Sequence, residues 1–127
     1  MLNSLRRISL RLARTATGGA LLRMGFSSMS FLIPLERLRE TPALLAFHHP
    51  SPSYPVHILI FPRRAYRSLL DVPADDSDLL RDLLEIVQSL VLDMNLENSG
   101  YRLITNGGPY QEVPMLHFHL ISEGARH

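Results

Sequence analysis

Two histidines separated by one residue, His117-Phe118-His119, are the part of this 127-residue chain best suited to chemistry. On a strand, side chains alternate, so both imidazoles share one face about 7 Å apart while Leu116, Phe118 and Leu120 turn to the core. A histidine near its ordinary pKa attacks phosphorus as a nucleophile or carries protons. Upstream, Asn106-Gly107-Gly108 offers bare backbone N–H groups, the material of an anion cradle. His57 stands in another apolar run, behind a proline-rich loop that carries His48 and His49. Phosphoryl transfer asks for little more than a nucleophile held in place and donors for the nonbridging oxygens. The same residues also have plainer uses: two surface histidines on an open sheet face, a core-edge His57, an asparagine suited to a turn. Three imidazoles suffice for catalytic zinc as well, and activity that survives a chelator would dismiss that use.

The elements that must position these groups follow from the pattern of apolar residues. Leu35 to Arg39 is expected to form a short helical turn, broken by Glu40-Thr41-Pro42. Ala43 to His48 and Val56 to Phe61 read as strands, the second stopped by Pro62. Between them, His49 to Pro55 holds three prolines and two serines and reads as an ordered loop. Leu79, Leu83, Ile86 and Leu90 recur at helical spacing, with Leu80, Leu84, Val87, Val91 and Met94 on an adjacent stripe, so residues 74–94 read as a helix lying on a sheet. Asp75, Asp76 and Asp78 crowd its start, with Ser77 as the candidate cap. Tyr101 to Thr105 and Met115 to Ile121 are the last strands, separated by a turn at Asn106–Pro109. Strands, one long helix, then strands again is α+β with an antiparallel sheet.

Length points to one domain. Hydrophobic residues make up 46% and charged residues 20%, a globular composition. The absence of cysteine excludes disulfides, thiol nucleophiles and Cys-based zinc sites, and no apolar run is long enough to span a membrane. All thirteen basic residues are arginine; five lie in residues 1–35, which contain no acid, and the other eight face twelve acidic residues. A mildly acidic body gives no support to nucleic-acid binding. Arg7, Arg11 and Arg14 share one helical face, opposite Leu5, Ile8 and Leu12, and the segment ends in Ser27-Ser28-Met29-Ser30. Residues 1–30 thus have the composition of an organellar transit peptide, mitochondrial before plastid. The alternative is a disordered extension before a start at Met24 or Met29, with a cytoplasmic protein of residues 31–127.

Three blocks carry a family resemblance. Residues 46–64, AFHHPSPSYPVHILIFPRR, resemble the front block of histidine-triad (HIT) proteins, roughly F-H-[DH]-x-x-P-x-x-P-x-H-x-L-[IV]-x-P-[KR]-[KR]. Residues 100–108, GYRLITNGG, resemble the family's G-Y-R-[LV]-[IV]-x-N-x-G block, and Met115 to Ile121 falls on its signature H-φ-H-φ-H-φ-φ, where φ is apolar. The resemblance covers residues 34–122 in the same order and spacing. It implies an α+β HIT-like fold with an antiparallel sheet of about five strands, one long helix and one short helix. It also implies a nucleotide phosphohydrolase, working without a metal or other cofactor at the α-phosphate of phosphoramidate-like or nucleotidyl substrates, and a homodimer. His117 matches the nucleophile that forms a nucleotidyl-imidazole intermediate; His119 matches the last triad histidine and His57 the upstream one. Asn106 matches the asparagine near phosphate and ribose, Gln111 and Glu112 fall in the phosphate segment, and Phe47, His48 and His49 line the nucleoside pocket.

The chain departs from that pattern in two places. Met115 replaces the opening histidine, in the same strand row as His117, and a thioether cannot donate a proton. The ring of His117 can still be oriented by a backbone carbonyl, so slower or altered turnover is expected. His49 stands where many members carry an aspartate for the ribose hydroxyls, and Ala65 where some carry another histidine. Together these departures keep open a second class of function, a HIT-like module that binds a nucleotide or protein without catalysis. Ser122 to His127 is expected to close the chain without the long C-terminal tail of some relatives.

Overall fold

The computed structural model describes residues 36–111 and 113–124. The address-like segment 1–30, Leu35, Glu112 and His127 lie outside the described residues. Five strands, β1 (Arg37–Glu40), β2 (Leu44–His48), β3 (Val56–Pro62), β4 (Arg102–Ile104) and β5 (Phe118–Ser122), form one sheet in the order β1-β2-β3-β5-β4. Every neighbouring pair is antiparallel. A long helix, α1 (Ser77–Asp93), and a short one, α2 (Leu96–Ser99), connect β3 to β4. The α+β architecture read from the pattern is the one observed, and among the described residues no helix is long and apolar enough to cross a membrane.

One stripe of α1 covers one face of the sheet. Leu79, Leu83, Ile86, Val87, Leu90 and Val91 pack with Leu44 and Ala46 of β2, Ile58 and Ile60 of β3, and Phe118 and Leu120 of β5. The buried stripe is narrower than the apolar pattern predicts, because Leu80 and Leu84 point away and are about half exposed. Asp82 is buried instead, and its carboxylate accepts the Ala43 N–H at 3.3 Å. The helix cap is Asp76 rather than Ser77: its carboxylate accepts from the Leu79 N–H (3.2 Å) and from the Tyr66 hydroxyl (2.6 Å). One side chain thereby closes two donors that a serine hydroxyl could not reach together.

Two further expectations are corrected. Residues 37–40 are not helical; β1 pairs with β2 from Arg37↔Phe47 to Glu40↔Leu45, with an irregularity between Arg37 and Arg39. A piece this short gains little from a helical turn of its own, whereas the open side of β2 supplies ladder partners. Arg39 then pins the strand to α1, pairing with Asp93 and donating from Nε to Ser89 at 2.9 Å. The last strand begins at Phe118, not Met115. The Met115 N–H donates to the Val113 carbonyl (2.7 Å) and the Leu116 N–H to the Tyr66 carbonyl (2.8 Å), so this approach is bonded outside the ladder. The expected turn after β4 contains a 3-10 turn, Gly108–Tyr110, that opens on Gly108 at φ 58°, where any side chain would be strained.

The half-buried stripe makes a direct prediction. Truncating the fully buried Leu90 to Ala should cost about 2–5 kcal/mol, while Leu84→Ala should stay within about 0.5 kcal/mol. Urea denaturation of both variants checks the pair; equal losses would mean that the wider stripe is buried after all.

Candidate active site

The face of the sheet away from α1 is also buried, and it holds the imidazoles. His57, Leu59 and Phe61 alternate along β3 with the helix-facing Ile58 and Ile60. Leu59 pairs with His119 and His57 with Ile121 across the β3–β5 ladder, so His57 and His119 are diagonal neighbours. Their rings meet, His57 Nε2 lying 3.0 Å from His119 Nδ1. His117 stands next to His119, ring centroids 4.9 Å apart, and stacks on Phe61 at 5.2 Å. His49, just beyond β2, completes the group 4.3 Å from His57. All four rings are at most 5% exposed.

Backbone partners decide which nitrogen of each neutral ring carries the proton, since a carbonyl only accepts and an N–H only donates. His117 Nδ1 lies 2.8 Å from the Met115 carbonyl, so it bears the proton and its Nε2 is a bare lone pair. The Ser53 N–H donates to His57 Nδ1 (3.3 Å), so the His57 proton sits on Nε2 and is given to His119 Nδ1. His119 is left with an N–H at Nε2. The proline-rich loop does the same for His49, whose Nδ1 accepts the Ser51 N–H at 2.9 Å. A bare nitrogen lone pair, on His117, therefore stands beside a hydrogen-bond donor, on His119. Both Nε2 atoms are buried without a hydrogen-bond partner among the described residues. Such atoms normally cost about 1–3 kcal/mol, the mark of groups kept for a ligand.

Burial holds His57, His117 and His119 neutral. Desolvation, and then the neighbouring His49 and His117, lowers His57 to about 3. Desolvation, followed by His117, His57 and His49, lowers His119 to about 2. His117 is also lowered by burial, against the opposing pull of the Met115 carbonyl. His117 Nε2 is consequently unprotonated at neutral pH.

The other sequence candidates divide. Phe47 is buried on β2, paired with Leu59 of the imidazole face. His48 is exposed and, by strand alternation, turns to the side of Leu44 and Ala46, so it does not join the cluster. Asn106 is half-buried just past Thr105, whose hydroxyl donates to the His117 carbonyl at 2.9 Å. The Gln111 amide is spent on the Arg67 and Val113 carbonyls, fastening the loop before the nucleophile. Met115 is buried, and because β5 starts later, strand alternation does not direct its thioether; its tie to His117 is its carbonyl, which any residue would supply. Phe61, Thr105 and the Ser53 N–H carry no sequence signal of their own. The β3–β5 register extended by one step sets Phe61 opposite His117, a pairing that only the folded sheet shows.

Among the described residues no group of three or more His, Cys, Asp or Glu is arranged to hold a metal ion. The neutral cluster predicts acid sensitivity. Unfolded histidines take up protons below about pH 6.5 while these rings refuse them. Their contribution is intact above pH 6.5 and is lost as pH falls toward 3, by about 1.4 kcal/mol per pH unit for each ring that stays neutral. Urea midpoints between pH 7 and 5 should fall steeply in the natural protein and less in His119→Asn; parallel slopes would contradict the buried neutral cluster.

Comparison with known proteins places these residues in context. The family model of the HIT domain matches residues 31–125. An uncharacterized HIT-like protein of Synechococcus elongatus is 37% identical over 91 residues, which are 70% of this chain and 79% of that relative. A histidine triad protein of Clostridium difficile superposes with a TM-score of 0.65 at 30% identity, covering 74% of this chain and 83% of that one. A HIT family hydrolase of Clostridium thermocellum gives 0.63 at 28% identity, over 70% and 79%. A histidine triad nucleotide-binding protein of Candida albicans gives 0.62 at 30%, over 72% and 68%.

Proposed function

Because the chain belongs to the HIT family, we propose that it is a nucleotide-binding phosphohydrolase acting at the α-phosphate of phosphoramidate-like or nucleotidyl substrates. The observation that carries this reading is the pairing of a bare Nε2 on His117 with an Nε2–H on His119, both buried and both without a hydrogen-bond partner among the described residues. His117 Nε2 attacks phosphorus, the bond to the leaving group breaks, and the leaving group takes its proton from solvent. His119, held in its tautomer by His57, donates to a nonbridging oxygen as charge grows there. Water then cleaves the P–N bond and restores His117. The hydrolase and nucleotide-binding names of similar proteins agree with this assignment.

His117→Ala should abolish release of the monophosphate from adenosine 5′-phosphoramidate while leaving the protein folded. His119→Leu removes the donor to the nonbridging oxygen and should slow turnover by about 10²–10³-fold. Release that persists in His117→Ala would sink the nucleotidyl-histidine mechanism. A second reading, binding without catalysis, is favoured by Met115, which cannot donate where relatives carry histidine, and by His49. Nucleotide-induced thermal stabilisation without product would select it. Met115→His should then restore turnover if that side chain silenced the site.

Two settings complete the proposal. A homodimer is supported by the exposed Tyr101, Leu103 and Tyr110 at the β4 edge of the sheet. The arginine-rich, acid-free residues 1–30 support import into the mitochondrion.

A further inference from the structure

Resting on the nucleotidyl-histidine reading, we propose that Phe61 is the positioning residue of the nucleophile, a ring face that both fixes the His117 plane and stabilises the charge that ring acquires. The Phe61 and His117 centroids are 5.2 Å apart and the planes differ by 20°, so the rings lie nearly parallel. Phe61 is 1% exposed and lies outside the cluster packed against α1. Its ring therefore belongs to the imidazole face. Without it, His117 is held by one hydrogen bond, to the Met115 carbonyl, and by the edge contact with His119.

The charge argument follows from the tautomer. Attack by Nε2 forms a bond to phosphorus while Nδ1 keeps its proton, so a neutral imidazole becomes an imidazolium. The rings grouped around His117 on this face, His119, His57 and His49, are imidazoles too. Two groups in direct contact with the His117 ring favour a cation there, the Met115 carbonyl and the π face of Phe61. A cation within about 6 Å of an aromatic centroid is attracted by the ring quadrupole, more strongly where water is excluded. A neutral ring gains less from the same stack. Phe61 thus favours the charged state over the resting one, which is the condition for lowering a barrier and not merely binding.

Fluorination tests this without changing shape, because each fluorine weakens the π face. In the full chain, mono-, di- and trifluorinated phenylalanine in place of Phe61 should lower kcat for adenosine 5′-phosphoramidate stepwise, to about one tenth, with KM unchanged. Phe61→Leu should lose at least as much. A kcat independent of fluorination would overturn the proposal. A second readout needs no nucleotide turnover: phosphorylation of His117 by inorganic phosphoramidate, followed by mass spectrometry. If nucleotides are not turned over but this phosphorylation slows along the series, Phe61 keeps its role and the hydrolase reading fails. Phosphorylation at an even rate, or none at His117, overturns the role of Phe61.

Discussion

The hydrogen bond from His117 Nδ1 to the Met115 carbonyl is the interaction on which the site depends. Desolvation keeps the buried rings neutral, and a neutral imidazole has one donor and one acceptor. Which nitrogen is which then decides whether the ring can attack. A carbonyl partner leaves no choice, and it leaves Nε2 bare. The bond forms because the segment before β5 stays out of the ladder, tied instead to Val113 and Tyr66. Thr105 holds the His117 carbonyl from the other side, joining the nucleophile to the end of β4.

The remaining rings are ordered from the opposite end. The loop between β2 and β3 folds its Ser51 and Ser53 N–H groups onto His49 and His57, and that order passes through His57 to His119. A proline-rich loop suits this task, because restricted φ angles reduce the entropy lost in holding two backbone donors at fixed points. Two separate backbone anchors thus set opposite polarities on neighbouring rings, a lone pair on one and an N–H on the other. Three rings whose pKa burial lowers are costly in acid, and that cost is the counterpart of a His117 Nε2 left unprotonated at neutral pH.

The family pattern and the departures from it also find a physical meaning here. The side chain at position 115 is not needed to orient His117, since the orienting atom is backbone. Position 49 keeps a ring in contact with His57, but one whose Nδ1 is spent on the Ser51 N–H. It offers a donor where a carboxylate would only accept.

The sequence makes legible the α+β class, the long helix, the strands β2 and β3, and the grouping of His57, His117 and His119. Those features depend on local periodicity and on three blocks of collinear residues, all written along the chain. It misjudged what depends on competition between partners: β1 is a strand because β2 offers an edge, β5 starts late because Tyr66 and Val113 take its first donors, and Leu80 and Leu84 lie outside the stripe that the sheet can cover. His48 and His49 are adjacent in sequence yet turn to opposite sides, as strand alternation requires, and only the end of β2 decides which one joins the cluster. Only tertiary structure decided the proton positions and the stacking of Phe61 beneath the nucleophile. Both arise from atoms more than fifty residues apart or from backbone groups, and neither kind of partner leaves a trace in residue type.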